Sequence, residues 1–474
     1  MAVAKTQTEM QSVNPATEEV LGRFPLHSEE QVNERLDSAR AAFRTWREMS
    51  FEERGRLFHA AAKRLRDNRS RYATVITTEM GKPIVEAEAE IEKCAWGCDY
   101  YADNAAAFLA DDPHPSNASE SYVAFDPLGT VLAIMPWNFP FWQVFRFAAP
   151  SLMAGNTAVL KHASNVPRCA LAIEEVFRSA GFPEGVFQTL MISGATAGDL
   201  IADPRVAAVT LTGSSAAGQK VASAAGTALK KTVLELGGSD PFIVLEDADL
   251  EAAAAAATRG RNQNTGQSCI ASKRILVSEA IADEFIDRFQ ASVSALKVGD
   301  PMDRSTQVGP MARADLREAI DRQVKASILA GADVVLGARQ PSPGFYYTPT
   351  ILADITPDMP VYREETFGPV AAVVRFHDVD EAISLANDTE YGLGAALWTS
   401  DIDRAKVLVR RIEAGSVFVN GVVASDPRLP FGGVKHSGNG RELAEFGIRE
   451  FTNIKTIWIG PASSDRHPDR APSE

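Results

Sequence analysis

Apolar positions follow successive rhythms along this chain, and each predicts a different kind of element. Near the start, Ser28 and Gln31 form a capping box, and Val32, Leu36, Ala39, Phe43 and Trp46 recur three and four positions apart. That is the face of an amphipathic helix, which is expected to open the fold. From Gly129 the pattern shortens to apolar runs at 131–135, 157–161, 187–192, 207–212 and 232–236. Helical stretches separate them, and one, 168–180, stops at Gly181-Phe182-Pro183. Strand alternating with helix predicts an α/β fold with a parallel, doubly wound sheet. Beyond Gly237-Gly238 a second series begins, with runs at 242–245, 274–277, 334–336, 371–376, 395–398 and 416–420 and helices such as 280–296 and 402–412. A second doubly wound α/β domain is expected there. Two extended segments, 121–125 and 451–459, belong to neither series. Unpaired edge strands invite another chain, so these predict a small β oligomerisation arm.

Composition narrows the function classes. At roughly 150 residues per domain, 474 residues make about three lobes. With 45% hydrophobic and 23% charged residues the chain reads as a folded protein. A net charge of -14 argues against nucleic acid and anionic membrane as partners. Four cysteines, Cys94, Cys98, Cys169 and Cys269, are too few for a disulfide scaffold, so reduced thiols in a cytoplasm are expected. The first twenty residues hold Lys5, Glu9, Glu18 and Glu19 without an apolar core, so no secretory signal is read there. The long uncharged stretch 127–145 carries Pro136, Asn138 and Pro140, which suits protein interior rather than lipid. The tail, 461–474, is rich in Pro, Ser, Asp and Arg and is expected to be disordered.

Three places can carry chemistry. Cys269 ends Asn264-Thr265-Gly266-Gln267-Ser268-Cys269, a glycine-containing bend before a strand, where a thiol can be reached and activated. A buried, inert thiol is the competing reading, and it is kept for the other three cysteines. Cys94 and Cys98 share a helical face, but no second pair follows at zinc spacing, so no metal site is expected. Glu235 closes an apolar strand before two glycines, where partial desolvation would raise its pKa toward that of a general base. It could equally be a solvated carboxylate at a strand end. Gly213-Ser214 stands between a strand and a helix, an anion site by geometry or simply a turn. Neither common nucleotide-binding glycine fingerprint occurs.

Six segments in order carry a resemblance: Met135-Pro136-Trp137-Asn138-Phe139-Pro140, Leu211-Thr212-Gly213-Ser214, Glu235-Leu236-Gly237-Gly238, Gly266-Gln267-Ser268-Cys269, Glu364-Glu365-Thr366-Phe367-Gly368-Pro369 and Leu429-Pro430-Phe431-Gly432-Gly433. Together the chain resembles the aldehyde dehydrogenase superfamily from about Val13 to Ile459, and within it the succinate-semialdehyde dehydrogenase branch. The resemblance implies an aldehyde dehydrogenase-like fold, with 1–110 and 128–236 as dinucleotide-binding domain, 237–427 as catalytic domain, and 111–127 with 445–460 as arm. It implies oxidation of an aldehyde, succinate semialdehyde above all, to the free acid with a nicotinamide cofactor, by a homodimer or homotetramer.

The resemblance makes Cys269 the nucleophile, Asn138 with the Cys269 amide the oxyanion hole, and Glu235 the base that activates water. It gives Glu365 the nicotinamide ribose, sets Trp137 and Phe367 at the cofactor site, and turns Gly213-Ser214 toward the pyrophosphate. Lys161 would anchor the adenosine ribose. Ser164 stands where many NAD-preferring members carry glutamate, so NADP is the expected cofactor, with NAD possible. Semialdehyde enzymes often place arginine where Gln263 stands, which leaves Arg146, helped by Ser425 or Arg428, to hold the substrate carboxylate. A redox-partner cysteine of some relatives is Ala271 here, and the proline common after Lys161 is His162. Three competing readings are a thiol hydrolase, a binding protein that kept the fold, and a broad fatty or aromatic aldehyde dehydrogenase. None of the seven histidines falls in the six segments, against the first; Cys269 and Glu235 are both retained, against the second.

Overall fold

The computed structural model describes residues 8–461, so the predicted tail lies outside the described residues but for Pro461. A six-stranded sheet forms first. From one edge its strands run Phe187–Thr189, Thr157–His162, Thr130–Met135, Val206–Thr212, Lys231–Glu235 and Gly438–Asn439, all parallel but the last. The first strand in sequence is central, and the chain winds outward to one side before crossing to the other. Both faces are covered, as a parallel sheet requires. Along Thr130–Met135, Val131, Ala133 and Met135 enter the core under the helices Phe51–Asp67 and Ile84–Phe108, while Leu132 packs with Val32 and Leu36 on the opposite face.

The second sheet has seven strands in the order Asp333–Leu336, Thr350–Ala353, Val370–Phe376, Ser272–Ser278, Asp240–Val244, Gly394–Trp398 and Ser416–Val419. All neighbours are parallel except the first pair. Its faces also divide by parity, Phe242 and Val244 into one core and Ile243 and Leu245 into the other. Among the described residues no helix is long and apolar enough to cross a membrane.

Three expectations change. A hairpin, Glu9–Val13 against Val20–Pro25, precedes the helix Glu29–Trp46 that was to open the fold. Its alternation is hidden in sequence because the inward pair is Met10 and Ser12, the latter donating to the buried carboxylate of Glu79 (2.6 Å). The two extra strands are not left unpaired. Glu120–Pro127 and Thr452–Ile459 form an antiparallel ladder with each other, with Asp112–Pro113 on the free side of the former. The run read as a strand over 187–192 leaves the sheet after Thr189, although Leu190, Met191 and Ile192 stay buried.

Candidate active site

In an open α/β sheet, ligands gather beyond the carboxyl ends of the strands where the winding reverses. Here that point lies between Thr130–Met135 and Val206–Thr212. The first strand leads into Pro136-Trp137-Asn138, and the second into Gly213 and Ser214. Ser214 caps the helix Ser215–Thr227 by accepting from the Ala217 amide (3.3 Å). The neighbouring strand ends on Glu235.

Cys269 comes to the same place by a forced bend. After the helix Leu250–Asn262, Asn264, Thr265 and Gly266 are left-handed in succession, at φ 53°, 55° and 70°. That conformation is strained for asparagine and more so for β-branched threonine, so neighbours must hold it. The Asn264 amide donates to Glu86 (2.7 Å), the Asn264 side chain to the carbonyls of Asn138 (2.7 Å) and Gln267 (3.1 Å), and Thr265 Oγ1 to the Gly309 carbonyl (3.2 Å). A side chain on Gly266 would meet the Gly368 carbonyl oxygen at 2.4 Å. Gly237 and Gly238 answer the same crowding from the other side. A Cβ on Gly238 would stand 2.6 Å from the Cys269 carbonyl oxygen, and one on Gly237 2.6 Å from the Glu365 carboxylate. The glycine pair thus lets the chain leaving Glu235 run directly against the Cys269 loop.

Around the thiol, donors are set in place. Asn138 Nδ2 gives one hydrogen to the Gln267 carbonyl (3.0 Å), which leaves its second, and its Oδ1 accepts from Gln143 Nε2 (3.1 Å). Among the described residues the Cys269 backbone N–H has no acceptor. Lys273 Nζ holds the carbonyls of Ser268 (3.0 Å) and Cys269 (2.6 Å) and stands 3.5 Å from Glu365. Burial pushes the Cys269 thiol up to about 12, against the opposing pull of Arg146 and Lys273. A pKa so raised favours the thiol at neutral pH, and thiolate forms as ligands or a base change its surroundings.

Glu235 is not a solvated strand-end carboxylate. It is 2% exposed, neither side-chain oxygen has a hydrogen-bond partner among the described residues, and burial raises its pKa well above the carboxylate range, helped by Glu442. Glu442 also ion-pairs with the Arg146 guanidinium, which lies 4.6 Å from the centre of the Phe431 ring. Both buried carboxylates therefore feel the Arg146 cation, and Glu235 feels Arg441 as well.

Cys269 opens into a cavity of about 180 Å³ lined also by Lys93, Phe139, Trp142, Gln143, Arg146 and Ser425. Arg146 is present, but its charge already has a partner in Glu442. Ser425 Oγ accepts from Trp142 Nε1 (2.9 Å) and Lys93 Nζ (2.8 Å). Arg428 lies outside this lining: it is exposed, chelates Asp426 (2.9 and 2.6 Å) and stacks over Trp96. A charged residue two positions from an acidic one in a loop closes a local pair, which is the physical reason it does not reach inward. Sequence reading missed Lys93, Trp142, Gln143 and Glu442. The helix Ile84–Phe108 did carry a signal, a lysine beside the apolar stripe Ile91, Cys94, Cys98.

Of the expected cofactor residues, Trp137, Lys161, Ser164, Gly213 and Ser214 lie in or just after strands of the first sheet, and Glu365 and Phe367 just before Val370–Phe376 of the second. Lys161 is the last residue but one of Thr157–His162, no charged neighbour shifts it, and burial alone lowers its pKa. Ser164 is exposed just beyond. Trp137 and Phe367 meet edge to face at 5.7 Å, and Glu365 accepts the Gly238 amide (3.0 Å). An unpaired ammonium, a helix N-terminus and a ribose-ready carboxylate fit a phosphorylated dinucleotide in donor type. His162 is structural: its Nε2 donates to the Pro140 carbonyl (2.8 Å) and its Nδ1 accepts the Ala163 amide (2.9 Å), which ties the strand to the Asn138 segment. Cys94, Cys98 and Cys169 are buried, with thiols pushed up by desolvation.

The chain is 54% identical over 449 residues to the probable NADP(+) succinate-semialdehyde dehydrogenase of Synechocystis, covering 94% of this chain and 99% of that protein. It is 52% identical over 454 residues to succinate-semialdehyde dehydrogenase [NADP(+)] 1 of Mycobacterium ulcerans, covering 95% and 99%. The crystal structure of succinic semialdehyde dehydrogenase from Streptococcus pyogenes in complex with NADP+ superposes with a TM-score of 0.93 at 40% identity, over 95% of this chain and all of that one. The aldehyde dehydrogenase family model matches residues 2–457, so the chain belongs to the aldehyde dehydrogenase family.

Proposed function

We propose that this enzyme oxidises succinate semialdehyde to succinate with NADP+, NAD+ serving less well. The observation that carries the substrate reading is the cavity at Cys269. At about 180 Å³ it is smaller than the ~300–1,000 Å³ of drug-sized pockets, and of the two cations in its lining Arg146 is paired with Glu442 while Lys93 has no carboxylate partner among the described residues. A four-carbon aldehyde ending in carboxylate suits that space and charge; long fatty aldehydes exceed the space, and uncharged aldehydes, aromatic ones included, leave the cation unanswered. The names of the relatives support the same choice.

In this reading the Cys269 thiol gives its proton to solvent and its sulfur attacks the aldehyde carbon. The oxygen of the resulting thiohemiacetal takes hydrogen bonds from Asn138 Nδ2 and the Cys269 amide. Bound NADP+ supplies the hydride acceptor, with Lys161 and Ser164 at its adenosine end, Gly213 and Ser214 at the pyrophosphate, and Glu365 at the nicotinamide ribose. Loss of hydride leaves a thioester on Cys269. Glu235 then takes a proton from water, the hydroxide adds to the thioester carbon, and the carbon–sulfur bond breaks to release acid and thiol. We assign cofactor binding to 1–110 and 128–236, nucleophile and loop to 237–427, and assembly into a homo-oligomer to the arm, where Ile454, Trp458 and Ile459 are exposed. Measuring kcat/KM for semialdehydes and plain aldehydes with both cofactors tests the reading. Preference for succinate semialdehyde with NADP+ is expected, and equal use of uncharged aldehydes would sink it.

A further inference from the structure

Lys93 lies on the helix Ile84–Phe108 at the cavity wall, far in sequence from every motif that marks the site. Among the described residues no carboxylate comes within ion-pairing distance of it. The nearby acids are otherwise engaged. Glu90 ion-pairs with Lys82 and accepts the amides of Phe141 (2.9 Å) and Trp142 (3.0 Å); Asp426 is chelated by Arg428; Glu86 accepts the Asn264 amide. Lys93 instead sits 4.6 Å from the centre of the Trp142 ring and donates to Ser425 Oγ.

That single hydrogen bond organises more than it joins. Ser425 Oγ has two lone pairs, and both are used, by Lys93 and by Trp142 Nε1. Its own hydrogen must therefore be donated elsewhere, and among the described residues it has no acceptor. Lys93 likewise keeps N–H donors beyond the one on Ser425. A partly buried ammonium and an oriented hydroxyl, side by side on the wall of the cavity that holds the nucleophile, lack one thing, an anion with two oxygens. Arg146 is the other cation in the lining, but Glu442 neutralises it.

We propose that Lys93, with the Ser425 hydroxyl it orients, holds the distal carboxylate of a short aldehyde whose carbonyl lies at Cys269, and so sets the preference for acid semialdehydes. This rests on the semialdehyde reading given above. The ammonium is poised to titrate: burial, with the nearby Arg146, lowers its pKa to about 8, against the opposing pull of Cys94, Glu90 and Asp426. Deprotonation of the free enzyme above that pH removes the cation.

The test compares succinate semialdehyde with butanal, an uncharged aldehyde of the same carbon number. In the wild type the ratio of their kcat/KM values cancels the titration of Cys269, which both substrates use. It is expected to hold steady below about pH 7 and to fall above about pH 8. Lys93→Met should raise KM for succinate semialdehyde by roughly 10- to 150-fold and leave kcat and butanal nearly unchanged, the range for losing a charge-assisted bond. Lys93→Arg, whose cation does not titrate, should restore much of the preference and remove its pH dependence. Equal losses for the two aldehydes in a folded Lys93→Met would overturn the proposal. Should that variant not fold, a flat wild-type ratio to pH 10 would do so. A wild type with no preference for succinate semialdehyde would instead overturn the substrate reading itself, before any substitution is made.

Discussion

Replacing Arg146 by methionine tests how the site keeps two carboxylates beside one cation. Arg146 and Glu442 are 3% and 4% exposed, so neither charge can turn to water when the other is removed. Breaking a buried pair by deleting one member typically costs about 3–5 kcal/mol, whereas replacing both with apolar groups of similar volume is often neutral or better. At about 2–4 °C per kcal/mol for a lobe of 150–250 residues, each of Arg146→Met and Glu442→Met should lower the melting temperature by about 6–20 °C. The double variant Arg146→Met/Glu442→Met should recover most of that loss. The deficit of Arg146→Met should shrink on acidification, because the stranded Glu442 can then be neutralised by a proton. Thermal melts of the four proteins at pH 7 and pH 5 close the cycle. Glu235 feels the same cation, so deacylation by Arg146→Met should move to higher pH. Losses that simply add in the double variant, or a deficit independent of pH, would refute the shared-cation argument.

Three other outcomes are expected. Glu235→Gln should give one equivalent of NADPH in a rapid phase and then stall, since the thioester forms without the base but is not hydrolysed; stopped-flow absorbance at 340 nm reads this, and an undiminished steady rate would remove Glu235 from the role. Ser164→Glu should lower the NADP+ to NAD+ ratio of kcat/KM, because a carboxylate there repels a 2′-phosphate and can accept a ribose hydroxyl; an unchanged ratio would detach Ser164 and Lys161 from the adenosine end. His162 is held neutral, its pKa lowered from 6.5 to about 4 by burial. The unfolded chain therefore takes up this proton first, so stability should be full above pH 6.5 and fall by about 3 kcal/mol as pH drops through about 4, a decline that urea titrations should find smaller in His162→Gln.

Sequence made legible whatever depended on neighbouring residues in the chain. Most strands of both sheets announced themselves as short apolar runs, because a parallel sheet covered on both faces buries its central strands; Thr350–Ala353 and the two-residue Gly438–Asn439 escaped that reading. The Cys269 bend showed in Asn264-Thr265-Gly266, and the tight passage after Glu235 in two glycines, since backbone crowding leaves few residue choices. What stayed hidden was partnership across the fold. Nothing local distinguishes Arg146, already paired with Glu442 some 300 residues on, from an arginine free to bind substrate, or Arg428, turned outward to Asp426, from one turned inward. For Lys93 the sequence offered only a lysine beside an apolar helix stripe: the helix places it at the cavity, and only the engagement of Glu86, Glu90 and Asp426 elsewhere leaves it without a carboxylate.

The arrangement also explains why the nucleophile and base can sit together without neutralising the site's purpose. Glu235 comes from the end of a strand in one sheet, and Cys269 precedes a strand in the other, so each is fixed by a separate ladder. Both are desolvated, which raises both pKa values and favours the uncharged form of each. Chemistry then waits on the ligands. A substrate carbonyl brings its oxygen to Asn138 and the Cys269 amide, where negative charge is favoured only once the sulfur has added. A site built this way holds its reactivity low until substrate fills it, and its rate should follow the pH at which thiol and carboxyl release protons rather than their ordinary values in water.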